Sequence, residues 1–596
     1  MWSGRIATNG AGITVGLLSL MACGALLAAE GTPWSSELYG SSWTPTPQLS
    51  FAANKIIQDF SFAGYAKGEK EIPDFAEARR FDVVADFGAD ASGVKDATEA
   101  IQKAIVAAEA AGGGVVYLPE GTFRVQPQKD RRFALCVRKP GVVLRGAGPD
   151  KTFLLNAATE MREKVIVLFQ APPSAEWERR EEGSTRISAD LMGPVVEIPV
   201  EEVSGFKKGD WVIVRSDPNK DWVMDHHEED WLGEEDKIGS IKYLRQLVAI
   251  DPEKKVITID VPTRYSLKKR DRPEVYRKSG MLENVGIEEL SIGNVQHPGK
   301  DGWKNLDFAA PTGAYTKRLA ESRGLPEDFA QTRKSAFDVH GSYAITMSNV
   351  LNGWVRNVRS FKPEGNTTGC HLLSNGVRMK ECRGVTVQGC YFQLPQYGGG
   401  GGNGYMYRLD NSNECLIRES RAEACRHGFS VSGMASSGNV IFRCLDKDTA
   451  RQTGSTGQEE TEGRSSDHHQ WFSHSNLFDN CTADNSWFEA RDRYYTHLSR
   501  PRHNLTSAHT VYWNMEGVAN SFHPFVVWSQ QADYGYVIGT RGAVNGVKTD
   551  GKYPERKSHT DPVDVVEGIG KGDTLSPRSL FEDQRKRRLG EAAAAK

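Results

Sequence analysis

A short apolar strand signature returns again and again through the second half of this 596-residue chain. It reads GWVRNV at Trp354, GVTVQGC at Val385, CLIRES at Leu416, NVIFRC at Val440, NLFDNC at Leu477, TVYWN at Val511 and GYVIG at Val537. Steps run from 24 residues, Leu416 to Val440, up to 37, Val440 to Leu477. One such strand cannot bury its apolar face alone, but a stack of successive copies can. The period therefore predicts a solenoid, with the longer steps marking loops inserted on one side. Cys390, Cys444 and Cys481 hold equivalent places relative to their strands, which suits an inward stack of small side chains. Evenly spaced strands would also fit a β-sandwich.

The stretch FDVVADFGADASGVKDATEAIQKAIVAAEAAGGGVVYLPEGTFRV, from Phe81 to Val125, breaks that tie. It reads as strand, glycine turn, helix, glycine turn and strand. Asp96 and Thr98 suit the helix cap, and Ile101, Ile105 and Ala108 form its apolar stripe. GVVLRGAGPDKTFLL follows as the next strand-turn unit. The segment closely resembles the N-terminal part of the pectate lyase superfamily, the pectin lyase-like proteins. The resemblance implies an all-β, right-handed parallel β-helix with an N-terminal capping helix. It does not imply one activity, because lyases, hydrolases, epimerases and phage tailspikes share this opening. By analogy with that fold, the ligand class is an extended polysaccharide lying in a shallow groove.

Around this solenoid the chain divides into expected parts. Residues 1–29 read as an export signal: Arg5 is the only charge before Glu30, and the apolar run GITVGLLSLMACGALLAA leads to a cleavage point near Ala29. Cys23 offers a lipoprotein-type alternative, and an uncleaved anchor is a further one. The expectation is a secreted or periplasmic protein, with no membrane insertion after signal removal. Residues 30–78 form an N-terminal extension, 79–159 the opening coils and cap, and 160–280 an inserted β module with the alternating pattern of antiparallel strands. Residues 281–560 supply the main coils with their groove loops, 298–334 being polar and loop- or helix-like, and 561–596 a tail ending in a helix. A net charge of −3 offers no basic field for nucleic acid. Beyond Cys23 eight cysteines remain, with no CxxC pair and no zinc spacing.

Three polar clusters fall on successive coils. YGGGGGNGYMYRLD contains Asn403, Tyr405, Tyr407 and Arg408; strand alternation puts both tyrosines on one face and Arg408 on the other. EACRHGFSVSG contains Arg426 and His427. GRSSDHHQWFSHSN, at the return of the longest insertion, contains Arg464, Asp467, His468, His469 and His474. His509 follows one coil later. Adjacent His468 and His469 would point apart in a strand, so no metal site is expected. Calcium through Asp467 and Asp479 has no motif behind it, and no cofactor is required.

The residue types suit β-elimination from a uronate, which needs a cation at the carboxylate, a base for the C5 proton and an acid for the leaving oxygen. Arg426 or Arg464 would neutralise charge; His427, His468 or His469 would take the proton; Tyr405 or Tyr407 would return one. Tyr407, Arg408, Asn403, Arg464, Asp467 and His509 would hold substrate. A glycoside hydrolase using paired carboxylates such as Asp467, Asp479, Asp484, Glu489, Asp410 and Glu423 is the alternative, and a non-catalytic, adhesive β-helix is another.

Overall fold

The computed structural model describes residues 32–41, 43–44, 55–128, 130–181, 183–304, 307–308, 335–449, 452–453, 459–460, 465–494, 501–550 and 563–594. The proposed signal segment and Arg464 lie outside these, as does most of 298–334.

The repeated signature forms consecutive rungs of one parallel sheet. Trp354, Thr386, Leu416, Val440, Leu477, Val511 and Tyr536 stand side by side in register. Two residues past the centre of each rung the backbone enters the left-handed region, at Glu289, Asn357, Gly389, Glu419, Arg443, Asn480, Asn514 and Gly539, with φ between 49° and 72°. This recurring one-residue corner turns every coil alike, and asparagine and glycine fill five of these eight places because they adopt positive φ at least cost. Just past it, Cys390, Cys444 and Cys481 point inward; all eight described cysteines are buried and unpaired.

A second parallel sheet, of ten strands, runs from Phe133–Val137 through Asn375–Lys380, Tyr405–Asp410, His427–Ser432 and Ser466–His468 to Gly546–Lys548. A third side is a ladder of single bridges, from Leu351 through Arg383, Asn413, Ser437 and His474. Between the walls lies one continuous core of Val, Ile, Leu, Phe and Cys. Parallel crossovers are right-handed, giving a right-handed parallel β-helix.

The helix Thr98–Ala110 covers the N-terminal end, with Ile101, Ile105 and Ala108 fully buried. Asp96 Oδ1 accepts the Thr98 N–H at 2.9 Å at its start. The C-terminal helix Leu580–Ala594 folds back on the N-terminal extension, where Gln584 pairs with Phe60 N and Gln58 O.

A six-stranded antiparallel sheet spanning Ser184 to Lys278 projects from the coils. The preceding strand, Val165–Gln170, belongs instead to the ten-stranded sheet, between Phe133–Val137 and Tyr343–Ser348, so the module starts later than residue 160. Arg245 anchors it to a coil through a bidentate pair with Glu414, at 2.8 and 3.0 Å, both side chains being buried.

Candidate active site

The outward face of the ten-stranded sheet carries a register column of Arg378, Arg408, Ser430, Asp467, Glu489 and Trp528. Rungs are about 4.8 Å apart, so neighbours in the column touch. Asp467 is its centre. Its Oδ1 accepts Ser430 Oγ at 2.8 Å, and its Oδ2 accepts Arg493 Nη1 at 2.6 Å and faces His469 Nδ1 at 2.7 Å. His427 Nδ1 is 3.4 Å from the same oxygen. Burial works against the charge, but the Arg493 guanidinium and the hydrogen bond from Ser430 outweigh it and hold the carboxyl below its ordinary range.

Tyr405 pairs with His427 across adjacent coils, their rings stacked at 5.0 Å. Its hydroxyl lies 3.0 Å from His469 Nε2 and receives Arg426 Nη1 at 3.2 Å. Arg408 sits over the Tyr405 ring at 5.0 Å. A line of polar groups thus runs from Asp467 through His469 to Tyr405 and Arg426. His427 Nδ1 lies 2.7 Å from the Ser465 carbonyl, which only accepts, so the proton is on Nδ1. That leaves Nε2 as a lone pair, itself buried in this structure, with no hydrogen-bond partner among the described residues. Burial drives both His427 and His469 well below the usual imidazole value, with Arg426 and Arg493 adding to it. Both rings are neutral and able to take a proton.

Ligand atoms of His427, Asp467 and His469 lie within 4.8 Å of one another, close enough to share a metal ion. Arg493 Nη1 already contacts two of them, Asp467 Oδ2 and His469 Nδ1, and supplies the positive charge there. Asp479, considered with Asp467 for calcium, is on the other sheet. It accepts Ser579 Oγ and Phe581 N, each at 2.8 Å, and so caps the C-terminal helix.

Five sequence expectations change here. Tyr407 does not share a face with Tyr405: it points into the core, stacked on Phe429 at 4.9 Å. The alternation breaks because Met406 and Tyr407 are both core residues, and Arg408 therefore joins Tyr405 on the outer face. The Met406 carbonyl of this irregular step presses on Gly376, where a Cβ would come within 2.4 Å of it. His468 is also in the core, with Nδ1 2.7 Å from Ser473 Oγ and its ring against Phe478. Asn403 is consumed by structure: its side chain bonds Gly341 N, Ser374 Oγ and His340. His509 lies away from this face, on the corner of the third side, 3.5 Å from Asp533. His474 is likewise structural, 2.9 Å from the Tyr243 hydroxyl of the module.

The structure also adds residues that the sequence reading passed over. Arg378, in NGVRMK, pairs in register with Arg408 and makes an ion pair with Asp410. Aligning the second strand of each coil, not only the first, would have exposed that arginine pair. Arg493 and His503 follow segments without the repeat; the His503 ring is 5.2 Å from His469.

Comparison with known proteins bears on the opening coils. Residues 81–181 match the family model described as rhamnogalacturonase A/epimerase, pectate lyase-like. Mannuronan C5-epimerase AlgE3 of Azotobacter vinelandii is 51% identical over 69 residues, covering 12% of this chain and 4% of that protein. Alginate lyase 7 of the same organism is 45% identical over 71 residues, covering 12% of this chain and 8% of the relative. The chain thus spans only a small part of these relatives. Among solved structures, the A-module of A. vinelandii mannuronan C-5 epimerase AlgE4 is 12% identical, covering 82% of this chain and all of that one at a TM-score of 0.30. The family match ends well before Tyr405 and Asp467. With the stacked parallel coils in view, this protein is a right-handed parallel β-helix whose opening segment, residues 81–181, matches the pectate lyase-like family model.

Proposed function

We propose that the chain is a secreted enzyme acting on an anionic, uronate-containing polysaccharide, and that it cleaves the polymer by β-elimination. The carrying observation is the Tyr405 hydroxyl, held between His469 and Arg426 beside the bare Nε2 of His427. Arg408 and Arg426 draw charge from the uronate carboxylate and so acidify its C5 proton. His427 Nε2 takes that proton. Tyr405, oriented through His469 by Asp467, gives its proton to the departing glycosidic oxygen. Relatives matched over the opening segment bear the names mannuronan C5-epimerase and alginate lyase, and both chemistries begin with loss of the C5 proton.

Hydrolysis fits the site less well. It needs one carboxyl protonated and one ionised. Asp467 and its neighbour Glu489 are both held below their ordinary range; burial opposes this, but Arg493 with the Ser430 hydrogen bond prevails at Asp467, and Arg491 and Arg493 at Glu489. Neither is a proton donor.

The test is incubation with alginate, pectate and glucuronan, following ultraviolet absorbance of unsaturated uronate ends. Absorbance rising together with new chain ends is the expected result. New reducing ends without it would mean hydrolysis. Exchange of the C5 hydrogen with solvent deuterium, with no cleavage, would mean epimerisation. Binding with none of these would leave an adhesive protein.

A further inference from the structure

A polar cavity of about 520 Å³ opens where the inserted module meets the last coils. The module lends Trp222, His226, Tyr265 and Lys268 to its wall, and the coils lend His509 and Asp533. It is separate from the Tyr405 face and does not depend on how that face is read.

Its origin lies in the corner column of the third side. Asn352, Gly384, Glu414, Gly438, Ser475, His509 and Asp533 are equivalent residues on successive coils, each with φ between 46° and 68°. On the middle coils this corner is covered: Glu414 is bound by Arg245 and Arg264, and Ser475 by Gln58 and Arg264. On the last two coils the corner faces the cavity. Asp533 keeps 47% of its side chain exposed there, while Tyr265 Oη donates to its Oδ2 at 2.6 Å and fixes its direction. His226 bonds the same Tyr265 hydroxyl at 2.7 Å and stacks on Trp222 at 3.7 Å. A volume of this size, with aromatic walls and a few convergent polar groups, has the form of a small-molecule site.

Charge narrows the occupant. Lys268 and Arg270 are both paired with Asp225, and Arg270 also with Asp271. With Asp533, three carboxylates face two cations. Unlike the arginine-rich outer face at Arg378, Arg408 and Arg426, this cavity has no surplus positive charge for an anion. A half-exposed, oriented carboxylate beside aromatic rings suits vicinal hydroxyls on an uncharged ring. We propose that this cavity is a glycan-binding subsite for a neutral sugar unit, built jointly by the module and the terminal coils. It would hold uncharged segments or branches of a polysaccharide while the outer face engages acidic ones.

Calorimetric titration of the full chain with neutral hexose and pentose oligosaccharides, and with uronate oligomers, tests this. At least one neutral oligosaccharide should bind the wild-type chain and weaken by about tenfold or more in Asp533→Asn, which removes a charged acceptor. Binding should fall equally in Ser266→Trp, which fills the cavity from a partly exposed position, and should be unchanged in Tyr405→Phe. If Asp533→Asn alters the melting temperature, Ser266→Trp decides. The proposal is overturned if no neutral oligosaccharide binds, if binding survives filling of the cavity, or if uronate oligomers are the ligands lost in Ser266→Trp and retained in Tyr405→Phe.

Discussion

The Tyr405 hydroxyl lies 3.0 Å from His469 Nε2, joining two coils that are 64 residues apart in sequence. Because His469 is turned by Asp467 on its other side, the proposed elimination uses the pair as a proton path and not as two isolated polar groups. Tyr405→Phe removes one oxygen from it. Turnover of a uronate polymer should fall about 10²-fold or more, with unchanged circular dichroism. Tyr407→Phe is the matched control. It loses only the buried bond to the Arg421 carbonyl, so it should cost about 1 kcal/mol in a urea melt and leave turnover intact.

Arg493 neutralises a carboxylate that has no access to water. Both Arg493 and Asp467 are buried, and Arg493→Met leaves that charge beside only neutral imidazoles and a serine. The chain should lose about 3 kcal/mol of stability at neutral pH. Urea denaturation measures this, and an unchanged midpoint would show that Asp467 is not ionised in the fold.

His468 separates core from catalysis through pH. Burial lowers its value from 6.5 to about 3. Across that window the unfolded chain binds a proton that the folded chain does not, so stability rises with pH between about 3 and 6.5 and is level above. His468→Gln retains a partner for Ser473 and removes the titration. Its stability should depend less steeply on pH in that window, with kcat preserved. A large loss of kcat would put His468 back among the catalytic groups.

Glu414 holds the inserted module to the coils. Glu414→Gln weakens the charge that Arg245 and Arg264 share in a dry interface, at a cost of about 3 kcal/mol. Limited proteolysis should cut the segment between Ser184 and Lys278 faster than in the wild type while sparing the coils. Equal cleavage rates would mean that the apolar contacts of the junction hold the module unaided.

The coils were readable because each repeats one physical requirement. The strand at Leu416 and the strand at Leu477 bury the same face in the same stack, so their residue patterns agree without any knowledge of the fold. The helix Thr98–Ala110 was readable for a similar reason, through its stripe of Ile101, Ile105 and Ala108. Arg426, His427, Asp467 and His469 were placed on successive coils by that period alone. Side-chain direction was less secure. A single irregular step at Met406–Tyr407 reversed Tyr407 and Arg408, and strand alternation gives no warning of such a step.

The amino-acid sequence by itself determined the stack: its period, its inward small residues, its capped end and the coils that carry polar clusters. These follow from local burial patterns, which each segment records independently of its neighbours. Only the tertiary structure decided which polar groups meet. Arg493 reaches Asp467, Tyr405 reaches His469, and His509 and Asp533 turn to a cavity that the module closes with Tyr265. Such contacts join residues brought together by coil register and by an insertion docking against the coils, and no local period encodes either one.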